Sequence, residues 1–384
     1  MDDLLTLGIL GTSGKENEKR LPIHPRHFDR VDADLRSCML VESGYGADFG
    51  VSDDELAPQV AQVVDRDRLI ADSDVVLMPK PTLPDVATLR DGQVLWGWPH
   101  CVQDAELTQL AIDKRLTLIA WEAMHHWDSS GTQGVHVFHR NNEIAGYASV
   151  LHAMTLMGTS GVYGRRLTAV VLGYGNTARG AITALQSLGV HDVVALTKRE
   201  VTAVPAPMPS VVLGHIERTR ADPSRTVTHR RAGNEPTHEF LAEHDIVVNC
   251  ILQDTDNPLM FVTADELAEF RPGSLIVDVS CDEGMGFEFA RPTPFTDPMV
   301  VVGHDVHYYG VDHSPSYLWN SATWEVSEAL IPFVRPVLTG PDAWERSETI
   351  ARAIEIQEGV VINPRILSFQ RRAAEFPHPV VDEG

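Results

Sequence analysis

Cysteine, basic charge and long apolar runs are all scarce in this sequence, and each shortage removes a class of protein. The four cysteines, Cys38, Cys101, Cys250 and Cys281, lie far apart without a C-x-x-C pair. That fits neither a disulfide framework nor a zinc knuckle and reads as reduced thiols in a cytoplasmic protein. Lysine and arginine number 31 against 54 aspartates and glutamates, a formal charge of −23. A chain this acidic is not expected to track a phosphate backbone, so no nucleic-acid partner is expected. No stretch reaches the roughly 18 apolar residues of a membrane span, and the acidic opening MDDLLTLGIL carries an apolar run too short for a signal peptide. No membrane partner is expected either. Histidines cluster at His125–His126 and at His304, His307 and His313, but without H-E-x-x-H or another helical ligand spacing, so no metal is expected.

What is present is ordinary for a globular protein: 384 residues, 43% hydrophobic and 22% charged, enough for two domains with their own cores. Apolar runs at Leu4–Leu10, Cys38–Glu42, Asp74–Met78, Val94–Trp98 and Leu116–Trp121 alternate with amphipathic stretches at Asp54–Ile70 and Asp104–Lys114, the second capped by Asp104. This is the rhythm of parallel βα units. A second series follows a helical stretch, Asn142–Met157. It has strands at Leu167–Leu172, Asp192–Thr197, Asp245–Cys250 and Ser274–Val279, with helices at Asn176–Leu188 and near Ala264–Phe270. The expected fold is α/β: two Rossmann-like, doubly wound parallel-sheet domains with a cleft between them. Residues 1–140 plus 305–384 form the expected substrate domain and 141–304 the dinucleotide domain. The polar Val201–Pro236 segment reads as a surface excursion. A helix is expected at Tyr317–Val334, and the tail from Gly340 has no reading of its own.

The sharpest motif is Gly173-Tyr174-Gly175-Asn176-Thr177-Ala178, directly behind an apolar strand and opening a helix. Gly173 permits the tight turn, Gly175 lets the backbone approach a pyrophosphate, and Ala178 allows close helix packing. The helix start, at Asn176 and Thr177, offers unpaired N–H groups and a positive dipole. A nicotinamide or flavin dinucleotide is the expected ligand. At the end of the next strand, 24 to 26 positions beyond Gly173, stand Thr197, Lys198 and Arg199, where an NAD enzyme usually places a carboxylate for the ribose. A hydroxyl and two cations suit a 2′-phosphate, so NADP(H) is expected in preference to NAD(H); Glu200 is the alternative ribose partner. In the first series, Lys80 ends DVVLMPK and His100 ends VLWGWPH, both at the carboxyl ends of parallel strands, where open α/β sheets bind ligands. Lysine can hold a carboxylate or shuttle a proton, and histidine can act as general acid at neutral pH.

Several segments together resemble the alanine dehydrogenase and transhydrogenase family over about residues 5 to 335. They are Gly14–Arg20 (GKENEKR) with Leu21–Pro25, Glu42–Gly46 (ESGYG), Lys80, His100, Trp121-Glu122, Asn142–Gly146 (NEIAG), and Val277–Asp282 (VDVSCD) with Arg291-Pro292-Thr293. Within the family the chain is similar to the N(5)-(carboxyethyl)ornithine synthases through KENEKR, GWPHCVQD, AWEAM, HVFHRNNEIAG, DVSCD and HYYGVDHSP; saccharopine dehydrogenases are more distant relatives. The resemblance implies that Arg20 and Lys80 bind the oxo acid, Lys80 doubling as proton shuttle. His100 is then the general acid and base, and Asp282 sits beside the nicotinamide. It also implies a homo-oligomer of about four or six chains and NADPH as the reductant. Where alanine dehydrogenases have apolar and small residues, this chain has Trp96, Trp98, Trp121, Glu122, His304 and His307. A larger amine substrate needs an anchor for its distal charge, and Glu122 is the candidate; the other reading of Glu122 is a strand-end cap or salt bridge.

The implied reaction is reduction of the imine between a pyruvate-like 2-oxo acid and an amino group of an ornithine- or lysine-like amino acid. One alternative is an amino-acid dehydrogenase that uses ammonia. Another is a non-catalytic dinucleotide sensor, which would have no need for Arg20, Lys80, His100 and Asp282 together.

Overall fold

The computed structural model describes residues 4–199, 202, 206–230 and 233–381. Two compact units emerge, Met1–His139 with Trp319–Gly384 and Arg140–Leu318. Among the described residues no helix is long and apolar enough to cross a membrane, and the four cysteines are free thiols.

Six parallel strands form the centre of the first unit, in the order Gln62–Val64, Met39–Glu42, Leu7–Ile9, Val75–Met78, Val94–Gly97, Thr117–Ala120. Their side chains alternate between two cores, as a period-two strand buried on both faces requires. Leu7, Ile9, Val75 and Leu77 pack with Val326, Leu330 and Val334 of the helix Trp319–Thr339. Leu10, Val76 and Met78 pack instead with Leu69, Ile70, Leu107, Ala111 and Ile112 of the helices Arg66–Asp72 and Ala105–Asp113. The Asp104 cap forms as its sequence implies, its carboxylate accepting the Leu107 N–H at 2.9 Å. The stretch Asp54–Ile70 is not one helix. Pro58 ends a short first helix, Asp53–Leu56, in a 3-10 turn, the edge strand Gln62–Val64 follows, and Asp65 caps the helix Arg66–Asp72.

The tail completes this unit. Ile354–Gln357 and Val360–Val361 extend the sheet in antiparallel fashion beyond Thr117–Ala120. The buried Arg372 guanidinium then ties the chain end to the helix Ala105–Asp113, through the Gln109 side chain at 2.6 Å and the Ala105 carbonyl at 3.2 Å.

The second unit repeats the order with Val211–Arg218, Asp192–Thr197, Thr168–Leu172, Ile246–Asn249, Leu275–Asp278 and Val306–Tyr309, all parallel. Counted along each unit, both sheets read 3-2-1-4-5-6, the doubly wound arrangement in which ligands bind beyond the carboxyl ends of strands one and four. Two expectations are corrected here. The second unit does not end at residue 304, because Val306–Tyr309 pairs with Leu275–Asp278 and residues 305–318 stay with it. Nor is the described part of 201–236 only a surface excursion. The unit's third parallel strand, Val211–Arg218, lies within it and runs on into an antiparallel ribbon with Thr226–Arg230 and Gly233–Pro236. Polar, half-exposed positions along that edge hide the strand from an apolar-run criterion. Residues 201, 203–205, 231 and 232 of the segment, and Glu200 before it, lie outside the described residues.

The helix His139–Leu156 crosses the helix Asn176–Ser187 at backbone contact. A Cβ on Gly146 would stand 1.9 Å from the Thr177 carbonyl oxygen, and one on Gly180 1.8 Å from that of Glu143. The glycine of NEIAG is thus a packing residue that seats the helix behind the glycine turn.

Candidate active site

In the first unit the expected polar residues gather at the carboxyl ends of neighbouring strands. Lys80 follows Val75–Met78, His100 follows Val94–Gly97, and Glu122 follows Thr117–Ala120. His100 adopts a left-handed backbone, φ 50°, an uncommon state for a residue with a side chain. The conformation is held from outside: the His100 N–H donates to Glu122 Oε1 at 2.7 Å, and the His100 Nδ1 lies 3.8 Å from the same oxygen. The His100 side chain is 43% exposed, open enough to meet a ligand. Glu122 therefore orients the histidine, which is the capping role considered for it in the sequence.

Burial first, then the charge of Glu355, hold the Glu122 carboxyl well above the ordinary carboxylate range, with Lys80 pulling the other way. Glu355 is itself raised by burial, against a hydrogen bond from Asn363 at 2.9 Å. Each of the two carboxyls keeps one buried oxygen, Oε2, without a hydrogen bond. Glu355 is a residue the sequence did not offer, since an acid inside the alternating run IEIQ reads as a solvent-facing edge position.

Arg20 is also buried. Glu18 grips its guanidinium through Nε at 2.9 Å and Nη2 at 2.5 Å, and the group lies 4.9 Å from the centre of the Trp98 ring. A carboxylate fork and an aromatic face fix the plane of the cation. The ESGYG turn supports this segment. The Tyr45 hydroxyl donates to the Ile23 carbonyl at 2.6 Å and accepts the Ile23 N–H at 3.0 Å, while Glu42 accepts the Gly11 N–H at 2.8 Å.

In the second unit the glycine turn and the end of the next strand meet. Gly173, Tyr174, Gly175, Thr197, Lys198, Arg199 and Ile251 line one cavity of about 170 Å³. Gly173 has φ 103°, and a Cβ there would press on the Cys250 carbonyl at 3.3 Å; one on Gly175 would meet no atom of the chain within 4 Å. The first position needs glycine for its backbone, and the second opens onto the cavity. Asn176 and Thr177 begin the helix, and Ala178, in its first turn, is fully buried. Thr197 Oγ1 accepts the Arg199 N–H at 3.1 Å, and partial desolvation, then Arg218, lower the Lys198 ammonium from its ordinary value. A glycine cradle, a helix N-terminus and two cations around one cavity fit a phosphorylated dinucleotide.

Asp282 follows the strand Leu275–Asp278, in a turn where Cys281 takes a left-handed φ of 41°. Asp278 fastens the turn: its Oδ1 accepts the Asn249 amide at 2.9 Å and the Cys281 N–H at 3.1 Å, and its Oδ2 accepts the Tyr308 hydroxyl at 3.0 Å. Burial pushes both Asp278 and Asp282 up to about 6. A carboxyl raised on folding stabilises below the unfolded value and loses that contribution as pH rises through the folded one. Asp282→Asn should therefore gain on the wild type by about 2 kcal/mol between pH 4 and pH 7, read as denaturant midpoints across that range. A difference independent of pH would show that Asp282 is not raised.

Among the described residues, His215, Glu217 and His229 bring a donor atom each within 4.8 Å of the others; the sequence had singled out different histidines. The His125 and His136 rings stand 4.9 Å apart across an antiparallel strand pair.

The sequence matches the family described as "Alanine dehydrogenase/PNT, N-terminal domain" over residues 13–145 and "Alanine dehydrogenase/PNT, C-terminal domain" over 144–364. It is 24% identical to the N(5)-(carboxyethyl)ornithine synthase of Clostridium botulinum, over 82% of this chain and 89% of that one. It is 23% identical to the alanine dehydrogenase of Mycobacterium tuberculosis, over 92% and 94%. Among solved structures, an L-alanine dehydrogenase aligns with a TM-score of 0.72 at 21% identity, covering 95% of this chain and 99% of that one. A transhydrogenase from Sinorhizobium meliloti aligns with a TM-score of 0.67 at 20% identity, covering 94% and 99%. These two likenesses concern the fold.

Proposed function

The chain belongs to the alanine dehydrogenase/PNT family, whose members include NAD(P)-dependent oxidoreductases acting on CH–NH, and from that premise we propose that it reduces an imine between two small molecules. A 2-oxo acid of the pyruvate type condenses with an amino group of an ornithine- or lysine-like amino acid, releasing water. Reduction of the C=N bond then gives an N-(carboxyalkyl) amino acid. The reductant is a nicotinamide dinucleotide, which supplies the hydride; the Gly173–Ala178 turn and the start of its helix hold the pyrophosphate. Lys198 and Arg199, with Thr197, take the 2′-phosphate.

The remaining roles fall to this chain's own side chains. Arg20, with its plane fixed by Glu18 and Trp98, binds the oxo acid's carboxylate. Lys80 polarises the carbonyl oxygen and moves protons. His100 gives and takes the proton at the reacting oxygen or nitrogen, and Asp282 stands on the nicotinamide side. Glu122 positions His100 and is the partner of the amine's ammonium, whose charge favours the ionised carboxylate.

The observation that carries the choice of a charged amine is Glu122, a buried carboxyl that meets His100 and is held toward its neutral form by burial and by Glu355. A distal ammonium favours the ionised carboxylate and gains a partner there, whereas ammonia brings no distal charge. Cofactor oxidation with pyruvate and ornithine or lysine, set against pyruvate and ammonia, tests this. Faster turnover with the diamino acids is expected, and equal rates with ammonia would overturn the choice.

The cofactor preference has its own test. Lys198→Ala with Arg199→Ala should raise the KM for NADPH at least about tenfold and leave that for NADH nearly unchanged, since each charged hydrogen bond to the phosphate contributes about 1.5–3 kcal/mol. Parallel saturation curves measure it. Equal efficiency with NADH in the wild type, or an unchanged NADPH KM in the double variant, would assign these cations elsewhere.

A further inference from the structure

We propose that His215, Glu217 and His229 bind one divalent transition-metal cation of the zinc type on the ribbon edge of the second sheet. Strand geometry makes the trio. His215 and Glu217 are two apart on Val211–Arg218 and so share a face. The antiparallel register sets Ile216 opposite Thr228, and its continuation sets His215 opposite His229. Ile216 and Thr228 point into the core, leaving the other three on the outer face. The two imidazole rings are 4.9 Å apart, and His229 Nε2 already meets Glu217 Oε1 at 3.0 Å.

Donor chemistry selects the cation. Two imidazoles and a carboxylate suit zinc and its neighbours, whereas calcium and magnesium demand oxygen ligands. With bonds of about 2.1 Å, donors on one tetrahedral zinc stand roughly 3.4 Å apart, so a trio already within 4.8 Å closes by side-chain rotation. One ligand is also preset from behind. The His215 Nδ1 lies 3.1 Å from the Arg199 carbonyl, which only accepts, so Nδ1 carries the proton and Nε2 keeps the lone pair. A histidine oriented through its second nitrogen is the usual support for a metal ligand. Three protein donors leave a fourth position for water, and the bound cation would tie the end of Asp192–Thr197 to the ribbon. The site does not depend on the oxidoreductase reading.

The test is calorimetric titration of the untagged, metal-stripped full-length protein with Zn2+, repeated with Co2+, whose visible absorption reports coordination number. One equivalent per chain is expected, with four-coordinate cobalt. His229→Ala should remove that equivalent, and Glu217→Gln should weaken it at least about tenfold; both side chains are exposed, so circular dichroism should be unchanged. No saturable binding by the wild type, or the same stoichiometry and affinity in His229→Ala, would overturn the proposal.

Discussion

Replacing His100 with asparagine is expected to lower turnover by about 10²- to 10⁴-fold, the usual weight of a positioned acid or base, while both substrates and the dinucleotide still bind. The substitution is chosen for the backbone as well as the ring. His100 sits at φ 50° with its N–H on Glu122, and asparagine tolerates the left-handed region better than most residues. The turn should therefore survive with only the imidazole lost. Steady-state kinetics across pH separate the outcomes: the variant should lose the limb that the imidazole provides. An unchanged rate and profile would make His100 a strand-end histidine held by Glu122 and nothing more.

Arg20→Ala is the second large effect. Losing a charge-assisted clamp on the oxo acid's carboxylate should lower kcat/KM by about 2–4 kcal/mol in activation terms, with dinucleotide affinity nearly unchanged. The structure adds a complication that the sequence concealed. The Glu18 side chain is 2% exposed and pairs with Arg20, so the single variant takes the guanidinium from a buried carboxylate that keeps the N–H of residue 20, at a cost in stability of up to about 3–5 kcal/mol. Glu18→Gln with Arg20→Ala removes that cost and isolates the substrate effect. If the double variant recovers both stability and oxo-acid kinetics, Arg20 is structural; if dinucleotide binding is what disappears, its assignment to the oxo acid is wrong.

The ease with which parts of this architecture could be read follows from how each part is buried. Strands covered on both faces, such as Val75–Met78 and Thr168–Leu172, are unbroken apolar runs, and the glycine turn has its meaning fixed by the strand before it and the helix behind. Edge elements have no such signal. Gln62–Val64 and Val211–Arg218 are partly exposed, and Val306–Tyr309 stands beyond the expected domain end, so pairing rather than composition identifies them. The same divide runs through the site. Lys80, His100 and Glu122 were legible as strand ends, but their partners Glu18 and Glu355 were not, because a buried acid and a solvated acid are the same letter. The ESGYG and NEIAG segments were legible as motifs without their reasons. Tyr45 holds the segment after Arg20, and Gly146 lets one helix reach the backbone of another.

The central claim concerns the bond that is formed, and mass detection of the product tests it most directly. Incubation of the enzyme with NADPH, pyruvate and 15N-labelled ornithine or lysine should yield a species with the summed mass of both substrates less one oxygen atom, as imine formation and reduction require. The label should be retained in that adduct. Alanine as the sole reduced product, with ammonia as the productive nitrogen donor and no adduct at any substrate pairing, would contradict the account.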